Sequence, residues 1–327
     1  MTSETRIPWQ VKFVVLALIW GSSFLLMKFG LRALEPVQIA GMRIASGAII
    51  LLVLLRVMGG RLPRGARTWG HLFVAATFLT TVPFVLFALG ETRVSSALAG
   101  IGNSITPVSM VIFGLLLLPS ERLTRTKLFA VVLGFIGVLV ISEPWNTIGR
   151  PDPVGFAIVL AAGACYGFGW PYVRRTLAHA DLGGLSQPAA LLVCGTVQML
   201  VVEIVWWLTH RGQMRPPWSV HADATTHDAW VALGTTLVLG IVGTGLAYML
   251  QFDVVRDAGT VVSSTVTYLI PVVSVILGVL VLGEHIGVFQ LLGFVLVLTA
   301  ALIVGRPAAG WGSLVRRVNA KQPARAA

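Results

Sequence analysis

The chain has 327 residues, 56% of them hydrophobic and only 11% charged, with a mean hydropathy of +0.86. Soluble domains carry roughly 25% charged residues, so a water-covered surface is out of reach, and a disordered protein, a disulfide scaffold and most soluble enzyme folds are excluded. The net charge of +11, from 24 Lys and Arg against 13 Asp and Glu, reads in so apolar a chain as the cation excess of cytoplasmic loops, and no nucleic-acid partner is expected.

Ten apolar runs approach the roughly 20 residues that a helix needs to cross hydrocarbon. In chain order they are 11–30, 37–58, 69–90, 94–118, 124–142, 154–177, 186–209, 229–251, 258–282 and 285–304. Backbone polar groups cannot stay unpaired in lipid, and the short alternating segments of a barrel are missing, so the expected fold is all-α and polytopic. With the N-terminus inside, 17 of the 24 Lys and Arg fall on the inner side, which puts both termini in the cytoplasm. The longest connector, 211–228, is polar and rich in Pro, His and Asp, and reads as an external loop.

The chain also matches itself. A shift of 146 residues lays Trp20 and Gly21 on Tyr166 and Gly167, Phe24 on Trp170, and Lys28 on Arg174. Further along, ITPVSMVIFGLLLLPSE (105–121) resembles LIPVVSVILGVLVLGE (269–284), with Pro107 over Pro271 and Glu121 over Glu284. Each half then holds five spans. An odd number of crossings reverses direction, so the expected architecture is ten transmembrane helices as two inverted five-helix repeats, a plan that builds a midplane transport site. The division is 1–10 as cytoplasmic N-terminus, 11–142 as first repeat, 143–153 as external linker, 154–304 as second repeat and 305–327 as a disordered cytoplasmic tail.

The segment LIWGSSFLLMKFGL, Pro36 followed by Arg43, and the closing YLIPVVSVILGVLVLGE resemble the EamA-type transporters of the drug/metabolite transporter superfamily, over about residues 11–304. The resemblance implies ten helices in two inverted repeats and a secondary transporter of the inner membrane. Many members export amino acids or related metabolites, and the YddG-like amino acid exporters are the natural comparison. The first half departs from the pattern where Pro119 and Ser120 replace the Gly before the glutamate.

Trp20, Phe24 and Lys28 follow i, i+4, i+8 spacing and share a helix face, as do Tyr166, Trp170 and Arg174. Either these faces meet across a cavity, with aromatic walls for a ring-bearing solute and cations at the mouths, or the aromatics are interface anchors and the cations ordinary helix-end charges. Pro107 and Pro271 free the carbonyls of Asn103 and Thr267. Gly100, Ser104 and Pro107 share a face, as do Ser264, Tyr268 and Pro271. Asn103, Ser104, Ser264 and Tyr268 are therefore candidates to hydrogen-bond a substrate, with helix–helix packing as the other reading. Tyr248 is a further cavity candidate, and Gly163 with Gly167 forms a packing seam. Arg43 and Glu203 sit about two turns inside their spans. They pair as an outer gate, or Glu203 carries a coupling proton, or Arg43 snorkels and Glu203 marks a solvated helix end. Glu121 and Glu284, at helix boundaries, suit capping or loop pairing.

The partners expected are a small-molecule substrate, the lipid bilayer and a proton as coupling ion. An intramembrane enzyme is the rival class, but HExxH, GxSxG and GxxxxGK are absent and the six His form no spaced cluster. No catalytic residue, metal or cofactor is expected. A drug or nucleotide-sugar carrier of the same superfamily is the other alternative.

Overall fold

The computed structural model describes residues 7–119, 124–143, 151–178, 180, 182–209, 220–221, 223–258 and 266–305. Among the described residues there is no strand, and ten apolar helices carry the fold. Eight are long and apolar enough to cross a bilayer: α1 (Trp9–Gly30), α2 (Pro36–Val57), α3 (Ala66–Glu91), α4 (Ser96–Leu117), α5 (Arg125–Ser142), α6 (Pro153–Thr176), α7 (Ser186–Thr209) and α8 (Thr226–Gln251). Two shorter apolar helices follow, α9 (Val266–Leu282) and α10 (Val288–Gly305). The chain is an all-α, multi-pass membrane protein, with ten such helices among the described residues.

The helix bounds follow local chemistry. The side chains of Ser95, Thr124, Asp152 and Thr225 each accept a backbone N–H three residues on and start α4, α5, α6 and α8. Within α1 the helix breaks at Ser22, where the hydroxyls of Ser22 and Ser23 both donate to the Ile19 carbonyl and compete with the helical ladder. Within α4 it breaks at Ser104 and Ile105, just ahead of Pro107, which has no N–H to continue the ladder.

Two further irregularities lie in the bodies of α3 and α8. Thr77–Thr81 and Ile241–Leu246 are π-helical. The first precedes Pro83, and the second is the glycine-rich IVGTGL. A π turn inserts one extra residue and rotates everything beyond it by about 100° relative to the 3.6-residue repeat.

The packing comes in matched pairs. α1 packs on α8 and α9, and α6 on α3 and α4; α2 packs on α7 and α8, and α7 on α2 and α3; α4 meets α9 and α5 meets α10. Exchanging each helix for the one five places away maps these contacts onto one another. α5 and α10 approach through Gly137 and Gly293, where an added Cβ on either would press into the other helix's backbone. Close approach of this kind gains dispersion contacts where lipid supplies no hydrophobic drive. The remaining faces of α5 and α7 show Phe129, Phe135, Leu200 and Ile204 outward, as a bilayer-facing surface requires.

Candidate functional site

Between these helices lies a cavity of about 710 Å³, large enough for a metabolite. Its lining runs from Phe24, Phe87 and Arg43, which are 5%, 3% and 8% exposed, to the exposed Arg174. Leu118, Lys127, Arg174 and Gln187 surround the far end, where α4 passes to α5 and α6 to α7. The chamber is therefore closed beneath Phe24 and Phe87 and extends toward the opposite end of the bundle.

The aromatic faces of α1 and α6 both reach it. Trp20, Phe24, Tyr166 and Trp170 line the cavity, as does Tyr248 of α8. Trp20 stands edge-on to Tyr248 at a centroid separation of 6.4 Å, and Phe24 edge-on to Phe87 at 5.3 Å. Phe87 continues to Tyr166 at 5.9 Å, so aromatics from both halves meet at the closed end. Arg174 lines the chamber. Lys28 does not. Its ammonium donates to the backbone carbonyls of Glu91 (2.6 Å) and Val94 (3.0 Å) and ties α1 to the α3–α4 turn, the role of a cation at a helix C-terminus.

On α4 a different face from the expected one is presented. Asn103, Thr106, Pro107, Met110 and Gly114 line the cavity. Ser104 is buried and donates to the Ile101 carbonyl. Gly100 packs on Ser274 and Phe24. The break ahead of Pro107 offsets the residues on its two sides, so a straight-helix face drawn through Gly100 and Ser104 does not carry on to the cavity. On α9, Val266, Thr267 and Ile270 are the lining residues, while Tyr268 and Pro271 are not among them; Ser264 lies outside the described residues, as does Glu121. Gly163 and Gly167 pack on Ile105 and Ser109 of α4, the seam expected of their spacing.

Arg43 lines the closed end. Its Nε donates to Thr244 Oγ1 at 3.0 Å, and its guanidinium lies 3.8 Å from the Phe84 ring centroid. Thr244 in turn donates to the carbonyl of Leu239, five residues back, a reach that the π turn provides. No ion pair joins Arg43 to Glu203. Glu203 lies instead against Gly41, off the cavity, with its carboxylate where a Gly41 side chain would be. The expected Arg43–Glu203 gate pair is thus not formed. Arg43 turns toward α8 and Phe84, because Thr244 and a ring face satisfy part of a guanidinium inside the bundle.

The closed end is fastened by charges on backbone. The N–H groups of Ser96 and Ala97 donate to the Glu284 carboxylate at 2.7 and 2.8 Å, and the Ser96 hydroxyl donates at 3.1 Å. Glu284, from the α9–α10 connection, therefore caps the N-terminus of α4, where a carboxylate meets free donors and the positive dipole end. The capping expected of Glu284 is found, across the two halves. Arg93 pairs with Asp152 at 4.0 Å and His221 with Glu35 at 3.2 Å nearby in the chain's connections. Glu91, the last residue of α3, is fully buried and neither carboxylate oxygen has a hydrogen-bond partner. The far end has its own tie, from Lys12 of α1 to Asp253 and Asp257 at 3.0 Å each.

Phe84, Phe87, Thr244 and Glu91 were not singled out by sequence. The pair Phe84 and Phe87, one turn apart beside Pro83, was the available signal for the first two. Glu91 was lost because the third span was closed at Gly90.

The model of the EamA-like transporter family matches this chain twice, over residues 7–143 and 153–306. An uncharacterized transporter of Archaeoglobus fulgidus is 26% identical over 301 residues, 90% of this chain and 99% of that protein. Protein PecM of Dickeya dadantii is 26% identical, covering 88% of each chain. The uncharacterized inner membrane transporter YedA of Escherichia coli K12 is 22% identical, again over 88% of each. A solved crystal structure superposes with a TM-score of 0.58 at 17% identity, covering 95% of this chain and 98% of that one, a likeness of fold.

Proposed function

Because the chain belongs to the EamA-like transporter family, we propose that it is a secondary transporter of the cytoplasmic (inner) membrane that exports amino acids or related small amphipathic metabolites, as the YddG-like exporters do, by alternating access. The observation that carries this reading is the aromatic chamber, closed at Phe24 and Phe87 and reaching Arg174. A chamber built from both halves and closed at one end fits one of two alternating states.

The two repeats, 11–142 and 154–304, run inverted, with both termini in the cytoplasm. Their support is the double family match, the odd number of helices in each copy and the exchange of contacts between helices five places apart. In this orientation the closed end faces outward and the chamber opens toward the cytoplasm, the state that loads an exporter. Lys28 and Glu284 then act as outer clasps. Both hold backbone of the α3–α4 region from the other wall, so both must let go when the outer side opens.

Replacing Trp20 or Trp170 by Ala should impair flux in sealed vesicles loaded with amino acids and aromatic metabolites, by tenfold or more for a removed stacking wall, while membrane insertion stays intact. Normal transport by both variants removes the aromatic-chamber reading. Proton coupling through Glu203 belongs to the same proposal, since intramembrane carboxylates mark ion pathways. Glu203→Gln should abolish the response of flux to an imposed pH gradient. An unchanged response would take that role from Glu203.

A further inference from the structure

We propose that the chamber selects organic anions: solutes with an apolar or aromatic body and a carboxylate seated on the Arg43 guanidinium. This rests on the transporter reading above and narrows its substrate class.

Arg43 is 8% exposed and faces the cavity. One donor goes to Thr244 and one face to Phe84; among the described residues the other guanidinium donors have no partner. A buried cation with open donors is costly unless an anion reaches it. Among the described residues no carboxylate lies within 4.0 Å of the Arg43 guanidinium. Among the described lining residues there is no Asp or Glu, and the charged ones are Arg43, Lys127 and Arg174, all cationic. The acids nearest in the fold are engaged elsewhere or held away. Glu91 lies within electrostatic reach of Arg43, but its carboxylate is within 4.0 Å of no cation among the described residues, and it does not line the chamber. Glu203 sits against Gly41 on the other side of α2, and Glu284 is bound to the start of α4.

Thr244 and Phe84 orient the guanidinium, and its unpaired edge suits the planar fork of a carboxylate. The aromatic wall beside it suits a ring or hydrocarbon body. A cationic solute meets the Arg43 guanidinium at the closed end and, among the described lining residues, no Asp or Glu. A zwitterion gains the same carboxylate contact, but among the described lining residues its ammonium has only neutral acceptors such as Asn103. The order of preference is therefore anion, then zwitterion, then neutral amide, then amine.

The test compares 3-phenylpropionate, 3-phenylpropionamide and 3-phenylpropylamine by thermal-shift titration of the full-length protein in detergent. Wild type should bind the carboxylate at least roughly tenfold more tightly than the amide, as a charge-assisted bidentate contact allows, and the amine most weakly. Arg43→Gln should bring the carboxylate down to the level of the amide and leave the amide unchanged. Arg43→Lys keeps a charge but not the fork, so it should retain the order with a smaller ratio, and it decides the matter should the Gln variant not fold. Equal binding of amide or amine in wild type, or a full carboxylate preference in both Arg43 variants, overturns the anion site and leaves the aromatic chamber standing. Failure of all three probes to bind folded wild type, together with normal flux in the Trp20 and Trp170 variants, overturns both.

Discussion

The two π turns invite comparison, since the same device is put to different ends. In α3 the turn presents Thr81 and Thr77 to Gln198 of α7. Thr81 donates to Gln198 Oε1 at 2.6 Å, and Gln198 Nε2 donates to Phe73 O at 2.7 Å and to Thr77 Oγ1 at 3.0 Å. In α8 the turn presents Thr244 to Arg43 of α2, which makes that one bond and leaves the rest of its donors toward the chamber. One polar side chain is consumed by the scaffold. The other is steadied by it and kept available. The matched packing of the halves thus builds a frame, and the difference between Gln198 and Arg43 gives the frame a chemically one-sided chamber.

That contrast can be broken from either side. The larger effect is expected at Gln198. Gln198→Leu removes three hydrogen bonds and strands the buried Thr81 hydroxyl, while Thr77 still donates to the Phe73 carbonyl, so unfolding in mixed micelles should become easier by about 1–2 kcal/mol. Its carboxylate preference should be unchanged. The smaller effect is expected at Thr244. Thr244→Val removes the bond from Arg43 and the bond to the Leu239 carbonyl at nearly constant volume, for a stability loss of about 1 kcal/mol or less. The guanidinium loses its guide, and the 3-phenylpropionate titration should weaken a few-fold. A large stability loss at Thr244, or altered anion preference at Gln198, would show that the two sites do not divide their work in this way.

Much of the fold was legible in the chain itself. The composition dictated helices in lipid, and the described helix bounds lie within a few residues of the apolar runs apart from the end of α8, where helix continues to Ala258, and the start of α9, whose preceding segment lies outside the described residues. Trp20, Phe24, Tyr166 and Trp170 were also legible: α6 is continuous from Tyr166 to Trp170, and the break at Ser22 keeps right-handed helical backbone angles and bonds four residues apart on either side, so Trp20 and Phe24 both still line the cavity. The reading failed in α4 and α8, where the break before Pro107 and the π turn shift the helix face. Pro107 and the break before it turned α4, so Ser104 gave way to Thr106, while Asn103, expected from the sequence, does line the chamber. A π turn leaves no periodic trace, so the alignment of Thr244 with Arg43 could not be seen. Glu91 was missed for a plainer reason: a carboxylate one residue past an apolar run looks like a solvated end, yet here it is wholly buried.

Lipid and backbone chemistry act along the chain, residue by residue, and so apolar length, proline, glycine and repeated aromatic spacing were enough to specify ten helices in two similar sets. Which donors remain open inside the bundle depends on partners 100 or more positions away, such as Thr244 for Arg43 and Ser96 for Glu284. Only the packed structure brings those together, because hydrogen-bond satisfaction is decided by distances across helices rather than by order along them.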